Sequence, residues 1–237
     1  TDTLIIIIDL NLHNIYSRQL EISNIEGKRI ILWKSPPGEN CKTFEEYERC
    51  LEFIIEKGVH RNSHVLAIGG GATSDFAGFV ASTILRGVKW SVVPTTFLSM
   101  IDASIGGKVG INSKFGKNLI GGFHQPENIF VCKEFLETLP EDEMQSGLGE
   151  MIKYCYLDPA IGEAVKSGAS PLGIIEDCMK YKKNIVKEDL KESGKRKVLN
   201  FGHTLGHALE KIYDLKHGIA VLWGIALIVK LYGTKKL

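Results

Sequence analysis

Short apolar runs separated by a helical pattern constrain this chain more than any other feature. LIIIIDLN (residues 4–11), RIILWK (29–34) and HVLAIGGG (64–71) are each ended by turn residues. Between the last two lies FEEYERCLEFIIEKGV, with apolar residues at helical spacing. Strand, helix, strand is the arrangement of a parallel α/β sheet. SDFAGFVASTILRG then reads as a helix capped by Ser74 and stopped at Gly87, followed by a strand, WSVVP. From about Thr138 the strand signals fade, and PEDEMQSGLGEMIKYCYL, GIIEDCMKYKKNIVKEDL, KRKVLNFGHTLGHALEKIY and a last apolar run read as helices. The expected organisation is an α/β domain with a Rossmann-like parallel sheet over residues 1–139 and an all-α domain over residues 140–237.

Charge sets a second limit. With 29 basic and 28 acidic residues, the formal net charge is +1, which argues against a nucleic-acid or anionic-membrane surface built on bulk charge. Any anion handled here must be met by cations placed locally. The five cysteines are spread widely and form no C-x-x-C pair, so neither a disulfide framework nor a cysteine zinc site is expected, and a reducing cytoplasm fits. IAVLWGIALIV, from Ile219 to Val229, is too short to span a bilayer and reads as a buried helix. TDTLIIIIDL has no cationic region before its apolar run, so no secretory signal is expected.

Three stretches could carry chemistry. GGGATSD, Gly69 to Asp75, follows a strand and opens a helix, where bare amides suit a pyrophosphate; a tight turn that needs glycine for its backbone explains it equally well. Ile101 to Pro126 reads as one long glycine-rich loop region that gathers Asp102, Lys108, Asn112, Lys117 and Asn118. Its lysines can meet a phosphate or carboxylate as point charges. Arg196, Asn200, His203 and His207 are spaced four, three and four apart, so on one helix they form a polar stripe. Thr204 stands where a zincin would carry its glutamate base, which disfavours a metalloprotease. His217 can begin the next helix and turn back on the stripe, while Glu150 and Lys153 share another helical face flanked by small and apolar residues. Two histidines and a carboxylate would give zinc three ligands and leave a position open.

GGGATSDFAGF, LRG, VPTT, DASIGGKVGIN, GKNLIGGFHQP, TLP, GLGEMIKY and LNFGHTLGHALE occur in that order. Through them the chain resembles the 3-dehydroquinate synthase family of sugar-phosphate cyclases. The resemblance implies an NAD-binding N-terminal domain, a helical metal-binding domain holding zinc or cobalt, and a cytoplasmic homodimer. It places the metal on Glu150, His203 and His217. It places the cofactor at Asp9, Asn11, Glu39, Lys42, Gly70, Gly71, Ala72, Asp75, Thr95, Thr96, Lys117 and Thr138. Asp102, Lys153, Asn200 and His207 take catalytic positions. Lys182 and Arg196 would receive a substrate carboxylate; Lys108, Asn200, His207 and Arg86, the last reaching across the dimer, would receive a phosphate. Asn118 is a further substrate position.

The implied activity is a carbon–oxygen lyase reaction of the shikimate pathway, which supplies aromatic amino acids. In it 3-deoxy-D-arabino-heptulosonate 7-phosphate becomes 3-dehydroquinate and phosphate by transient oxidation, elimination, reduction and aldol closure. A sibling cyclase with another sugar phosphate, a metal-dependent polyol or glycerol-phosphate dehydrogenase, and an inactive homologue retained as a binding subunit are the competing readings. Ile219 stands where the family carries glutamate after His-Gly. Family chains also extend before Thr1 and beyond Gly233, so the helical domain is expected to be incomplete at its C-terminus, with GTKKL as a remnant of the segment bearing a phosphate-binding lysine.

Overall fold

The computed structural model describes residues 2–20, 25 and 27–233. By its internal contacts the chain divides into two compact units, Thr1–Thr95 with Gly107–Cys132, and Thr96–Gly106 with Lys133–Leu237. That division falls elsewhere than the single boundary expected at residues 139 and 140. The segment 96–106 groups with the helices because Asp102 is tied to side chains of the helical unit, as described below.

The first unit holds β1 (Thr3–Asp9), α1 (Leu10–Tyr16), β2 (Arg29–Ser35), α2 (Phe44–Glu56), β3 (His64–Gly69), α3 (Gly71–Thr83), β4 (Lys89–Pro94), β5 (Lys108–Ser113), β6 (Gly116–Phe123) and β7 (Asn128–Ile129). Among the described residues, five strands pair in parallel in the order β2-β1-β3-β4-β7, and β5 and β6 form a separate antiparallel pair. Ile5, Ile6, Ile7 and Ile8 are each at most 1% exposed, as a central parallel strand covered on both faces requires. Ile5 and Ile7 pack with Ile54, Phe76 and Val80; Ile6 and Ile8 pack with Ile68 and Leu12. The parallel strands, α2 and the strand–turn–helix after His64 match the sequence reading.

Two expectations about this unit change. The 74–87 helix begins earlier, at Gly71 with Gly70 as its cap, and Ser74 lies inside it, its hydroxyl donating to the Gly70 carbonyl at 3.0 Å. The loop expected from Ile101 to Pro126 contains the β5–β6 hairpin, paired from Lys108 with Phe123 to Ser113 with Gly116. Its glycines concealed the strands: a Cβ on Gly121 would lie 2.1 Å from the Val109 carbonyl oxygen, so the close approach that builds the hairpin also strips it of an apolar alternation.

The second unit comprises a helical turn at Ser99–Ala103, a 3-10 segment at Lys133–Thr138, and α4 (Glu141–Leu157), α5 (Pro159–Lys166), α6 (Ile175–Glu188), α7 (His203–Tyr213) and α8 (His217–Tyr232). Helices α4 and α8 approach so closely that a Cβ on Gly218 would fall 1.7 Å from the Ser146 carbonyl oxygen. No helix among the described residues is long and apolar enough to cross a membrane.

Candidate functional site

In the first unit the strand order reverses at β1 and β3, whose C-terminal ends form the switch point where doubly wound sheets receive nucleotides. β1 ends at Asp9, whose carboxylate accepts from the amides of Asn11 at 2.9 Å and Leu12 at 3.2 Å and so caps α1. β3 ends at Gly69, where a Cβ would sit 2.6 Å from the Thr73 side chain; the next helix then starts with no acidic residue in its first turn. Bare amides at that helix start can receive an anion.

Beside this turn lies Lys42, 1% exposed, with its ammonium 2.8 Å from Asp75 and 3.7 Å from Glu39 and also donating to the Asn118 side-chain oxygen. Asn112 donates to Glu39 at 2.7 Å and accepts from the Asn118 amide at 2.8 Å. The structure thus joins the cofactor candidates Glu39, Lys42 and Asp75 to Asn118, which the resemblance gave to substrate. The Thr95 amide donates to the Gly69 carbonyl at 3.0 Å. Gly70, Gly71 and Ala72 form the start of α3, and Asn11, Lys108 and Lys117 are exposed. Arg86 is exposed too, and it and Leu85 both hold left-handed backbones, at φ +68° and +52°. Such strain in consecutive non-glycine residues is typical of functional loops. Thr96 and Thr138 belong to the second unit and bond locally, to Ser99 and to the Phe135 carbonyl.

The second unit carries the denser cluster. Glu150, on α4, is 1% exposed; one carboxylate oxygen lies 3.3 Å from His203 Nε2 and 3.2 Å from His217 Nε2, and the other lies 2.5 Å from Lys153 Nζ. None of these approaches has good hydrogen-bond geometry, so the carboxylate is paired by charge with Lys153 while both buried oxygens still lack a well-aligned hydrogen bond. His203 Nδ1 lies 3.2 Å from the Phe201 carbonyl, which can only accept, so Nδ1 carries the proton and Nε2 offers its lone pair. His217 Nδ1 lies 3.0 Å from a Glu210 carboxylate oxygen. Each of His203, His207 and His217 presents a ring nitrogen, and the three atoms lie within 4.8 Å of one another. A cation is what this cluster needs. Burial works to lower the His217 pKa, yet Glu150 and Glu210 lift it to about 9, so a proton serves when a metal does not. Burial likewise opposes ionisation of Glu150, but Lys153 and the two imidazoles hold it well below the usual carboxylate range. Imidazole nitrogens with a carboxylate oxygen are a donor set that fits zinc or cobalt.

Next to this cluster, Asp102 accepts from Lys153 at 3.3 Å and from the Tyr154 hydroxyl, and its other oxygen lies 2.9 Å from Lys182, which also donates to the Asp102 carbonyl at 2.7 Å. Burial would raise the Asp102 pKa, but the two ammonium groups hold it far below its ordinary value; they reinforce its anionic form. The Lys153 pKa stays raised, because Asp102 and Glu150 outweigh its burial.

The polar stripe expected on one helix is broken. A 3-10 segment at Lys195–Asn200 ends before Gly202, whose φ of +83° separates it from α7. A Cβ on Gly202 would meet Ile225 at 2.5 Å, so packing against α8 forces the break. His203 and His207 alone of the four share a helix. Arg196 is 2% exposed, donating to the carbonyls of Gly106 at 3.1 Å and Leu190 at 2.7 Å, and Asn200 donates to Glu192 at 2.8 Å. Asn200 and Glu192 line a cavity of about 650 Å³ with Lys191, Lys197 and Thr204.

Sequence reasoning missed three of these groups. Tyr154 adjoins Lys153, and Glu210 extends the His203–His207 spacing by three residues, a legible signal. Glu192 sits in a loop at φ +59° and gave none. In GTKKL, Lys235 and Lys236 lie outside the described residues.

A parallel sheet with a glycine turn at its switch point, together with a helical unit that carries a histidine–carboxylate cluster, defines a protein of the dehydroquinate synthase-like fold. Consistent with this, the chain superposes on a structure of 2-deoxy-scyllo-inosose synthase complexed with carbaglucose-6-phosphate, NAD+ and Co2+, at a TM-score of 0.84 and 25% identity, covering 97% of this chain and 67% of that one. It also matches 2-epi-5-epi-valiolone synthase from Streptomyces hygroscopicus subsp. jinggangensis with NAD+ and Zn2+ bound, at a TM-score of 0.80 and 27% identity over 95% and 68% of the two chains. Residues 32–146 match the family model for the N-terminal part of 3-dehydroquinate synthase, and residues 147–237 match that for its C-terminal part. The 3-dehydroquinate synthase of Pyrococcus furiosus is 47% identical over 204 residues, 83% of this chain and 61% of the relative. The chain belongs to the 3-dehydroquinate synthase family. It spans about three fifths of the length of the curated relatives it matches.

Proposed function

We propose that the protein acts as a 3-dehydroquinate synthase, converting 3-deoxy-D-arabino-heptulosonate 7-phosphate to 3-dehydroquinate and phosphate with NAD+ and a divalent cation. The observation that carries this reading is Glu150: a buried carboxylate without a well-aligned hydrogen bond, faced by two imidazole nitrogens on one oxygen and by the Lys153 ammonium on the other, with Lys182 reached through Asp102. The higher identity to relatives named for this activity than to the other cyclases favours it over a sibling substrate.

Glu150, His203 and His217 hold the cation, zinc or cobalt. Asp9, Asn11, Gly70, Gly71, Ala72, Asp75, Glu39, Lys42, Thr95, Thr96, Lys117 and Thr138 serve the dinucleotide. When bound, the cation supplies a Lewis acid that lowers the pKa of a substrate hydroxyl, and NAD+ supplies a hydride acceptor that ends the cycle unchanged. The chain's own groups do the rest. Lys182 meets the substrate carboxylate with Arg196 beside it; burial lowers the Lys182 pKa, and Asp102 opposes that shift. Asn200, His207, Lys108 and Arg86 meet the phosphate; Asn118 is a further substrate contact, and Arg86 is contributed across a homodimer.

Asp102 is too acidic to serve as a general base near neutrality, so it acts as a hydrogen-bond acceptor that orients a substrate hydroxyl. Lys153 remains charged and stabilises negative charge that develops beside it. Burial and the neighbouring histidines lower the His207 pKa, which leaves a neutral imidazole able to donate to phosphate and to exchange a proton. The setting is the cytoplasm, and the role is a step toward aromatic amino acids.

The test is phosphate release from the heptulosonate 7-phosphate in the presence of NAD+ and zinc, with NADH absorbance followed alongside. Phosphate without accumulating NADH is expected. Stoichiometric NADH would make the protein a dehydrogenase, and neither product would overturn the assignment.

A further inference from the structure

We propose that Glu210 is the positioning residue of the metal centre, holding the His217 ring at Nδ1 so that Nε2 is presented to the cation beside Glu150 and His203. The inference rests on the metal reading above and adds a residue that the sequence reading did not assign.

His217 is the first residue of α8, where no preceding helical turn restrains its side chain. The restraint comes from the end of α7. His203, His207 and Glu210 are spaced four and three apart and share one face of that helix. Asp214, at φ +51°, closes α7 in a left-handed cap and reverses the chain, which brings His217 back over this face. The imidazole is then gripped from both sides, with Nδ1 3.0 Å from Glu210 and Nε2 3.2 Å from Glu150. The Glu210 side chain is 17% exposed and the His217 side chain 36%, so the carboxylate is the better shielded partner of that contact.

Both metal-facing rings therefore have their far nitrogen fixed, but by different acceptors. For His203 it is the Phe201 carbonyl, a backbone group that orients the ring. For His217 it is a carboxylate, which orients the ring and also makes Nε2 a stronger ligand. Ile219, two residues beyond His217, carries no side-chain acceptor that could take over.

Zinc and cobalt dissociation constants, measured on the whole chain by competition with a chromophoric chelator, test this directly. Cobalt absorption reports the coordination geometry, and melting of the metal-free protein reports the fold. Wild type is expected to bind and His203→Ala to lose binding. Glu210→Ala should bind about 10–100-fold more weakly. Glu210→Gln should recover part of that loss, because its amide oxygen can accept the same Nδ1 proton. If the alanine variant fails to fold, Glu210→Leu, which keeps bulk without an acceptor, carries the same expectation. A purely structural glutamate would lower the melting temperature and leave the dissociation constants untouched. Wild-type affinity in Glu210→Ala or Glu210→Leu, with binding lost in His203→Ala, would overturn the positioning role alone. Absence of binding by wild type would overturn the metal reading and this inference together.

Discussion

The two units manage charge in opposite ways. In the first, a single buried lysine, Lys42, is surrounded by groups that reach solvent: the side chains of Asp75 and Glu39 are 23% and 47% exposed. The neighbouring glycine turn offers backbone amides instead of side chains. In the second, Glu150 and Lys153 are each 1% exposed, Lys182 is 8% exposed, and Asp102 joins the two ammonium groups. A site made of backbone and solvated charge tolerates the loss of one member. A buried network does not, since each removal strands a partner in low dielectric.

The sharpest way to break this contrast is Glu150→Ala. It leaves Lys153 facing Asp102 without its second carboxylate, so denaturant unfolding should show a loss of roughly 3–5 kcal/mol, along with loss of bound metal. If the stability of the variant matched wild type, the cluster would not be the buried network described here. Lys42→Met is the matching change in the first unit. It should cost less, roughly 1.5–3 kcal/mol, and weaken NAD+ binding as read by fluorescence titration.

Glycines sharpen the comparison at the level of backbone. Gly218→Ala drives a Cβ to 1.7 Å from the Ser146 carbonyl, so α4 and α8 must part; a cost of about 1–3 kcal/mol is expected in thermal melts. Gly122→Ala, on the hairpin, meets nothing within 4 Å and should leave the melting temperature nearly unchanged.

The second unit also carries a pH dependence. Because the folded pKa of His217 is raised from 6.5 to about 9, its proton stabilises the metal-free protein fully below 6.5, and that contribution is lost as pH rises through 9. A metal must displace the same proton. Apparent metal affinity should therefore rise about tenfold per pH unit from neutrality and level off above 9. A flat profile in calorimetric titrations would remove the proton from the site. A second pH effect is expected at Asp189, whose carboxylate accepts from the amides of Arg196, Gly194 and Ser193 and is thereby lowered from 3.8 to about 2. Its contribution is present above 3.8 and fades as pH falls through 2; Asp189→Asn should flatten that part of an acid-unfolding curve.

Much of this was readable along the chain. Parallel strands covered on both faces are apolar throughout, so the isoleucine run of β1 announced itself. The Glu150–Lys153 pair and the His203–His207 spacing were local patterns that the structure places on helices as read, while the glycine turn proved to open its helix earlier than read, at Gly71. The hairpin from Lys108 to Phe123 was hidden because glycine replaces the side chains whose alternation marks a strand. The stripe from Arg196 to His207 misled because equal spacing implies one face only if the helix is continuous, and Gly202 interrupts it.

The amino-acid sequence by itself determined the parallel strands and their connecting helices, the presence of a glycine turn and the identity of the chemical groups, since these depend on periodicity and residue type over short windows. Only the tertiary structure decided which groups meet. Asp102 lies 51 residues from Lys153 and 80 from Lys182, and Glu210 reaches His217 through a chain reversal that no local pattern specifies. Distances of that kind follow from how α4, α6, α7 and α8 pack. Packing depends on close contacts such as Gly218 against Ser146 and Gly202 against Ile225, which are properties of the assembled backbone.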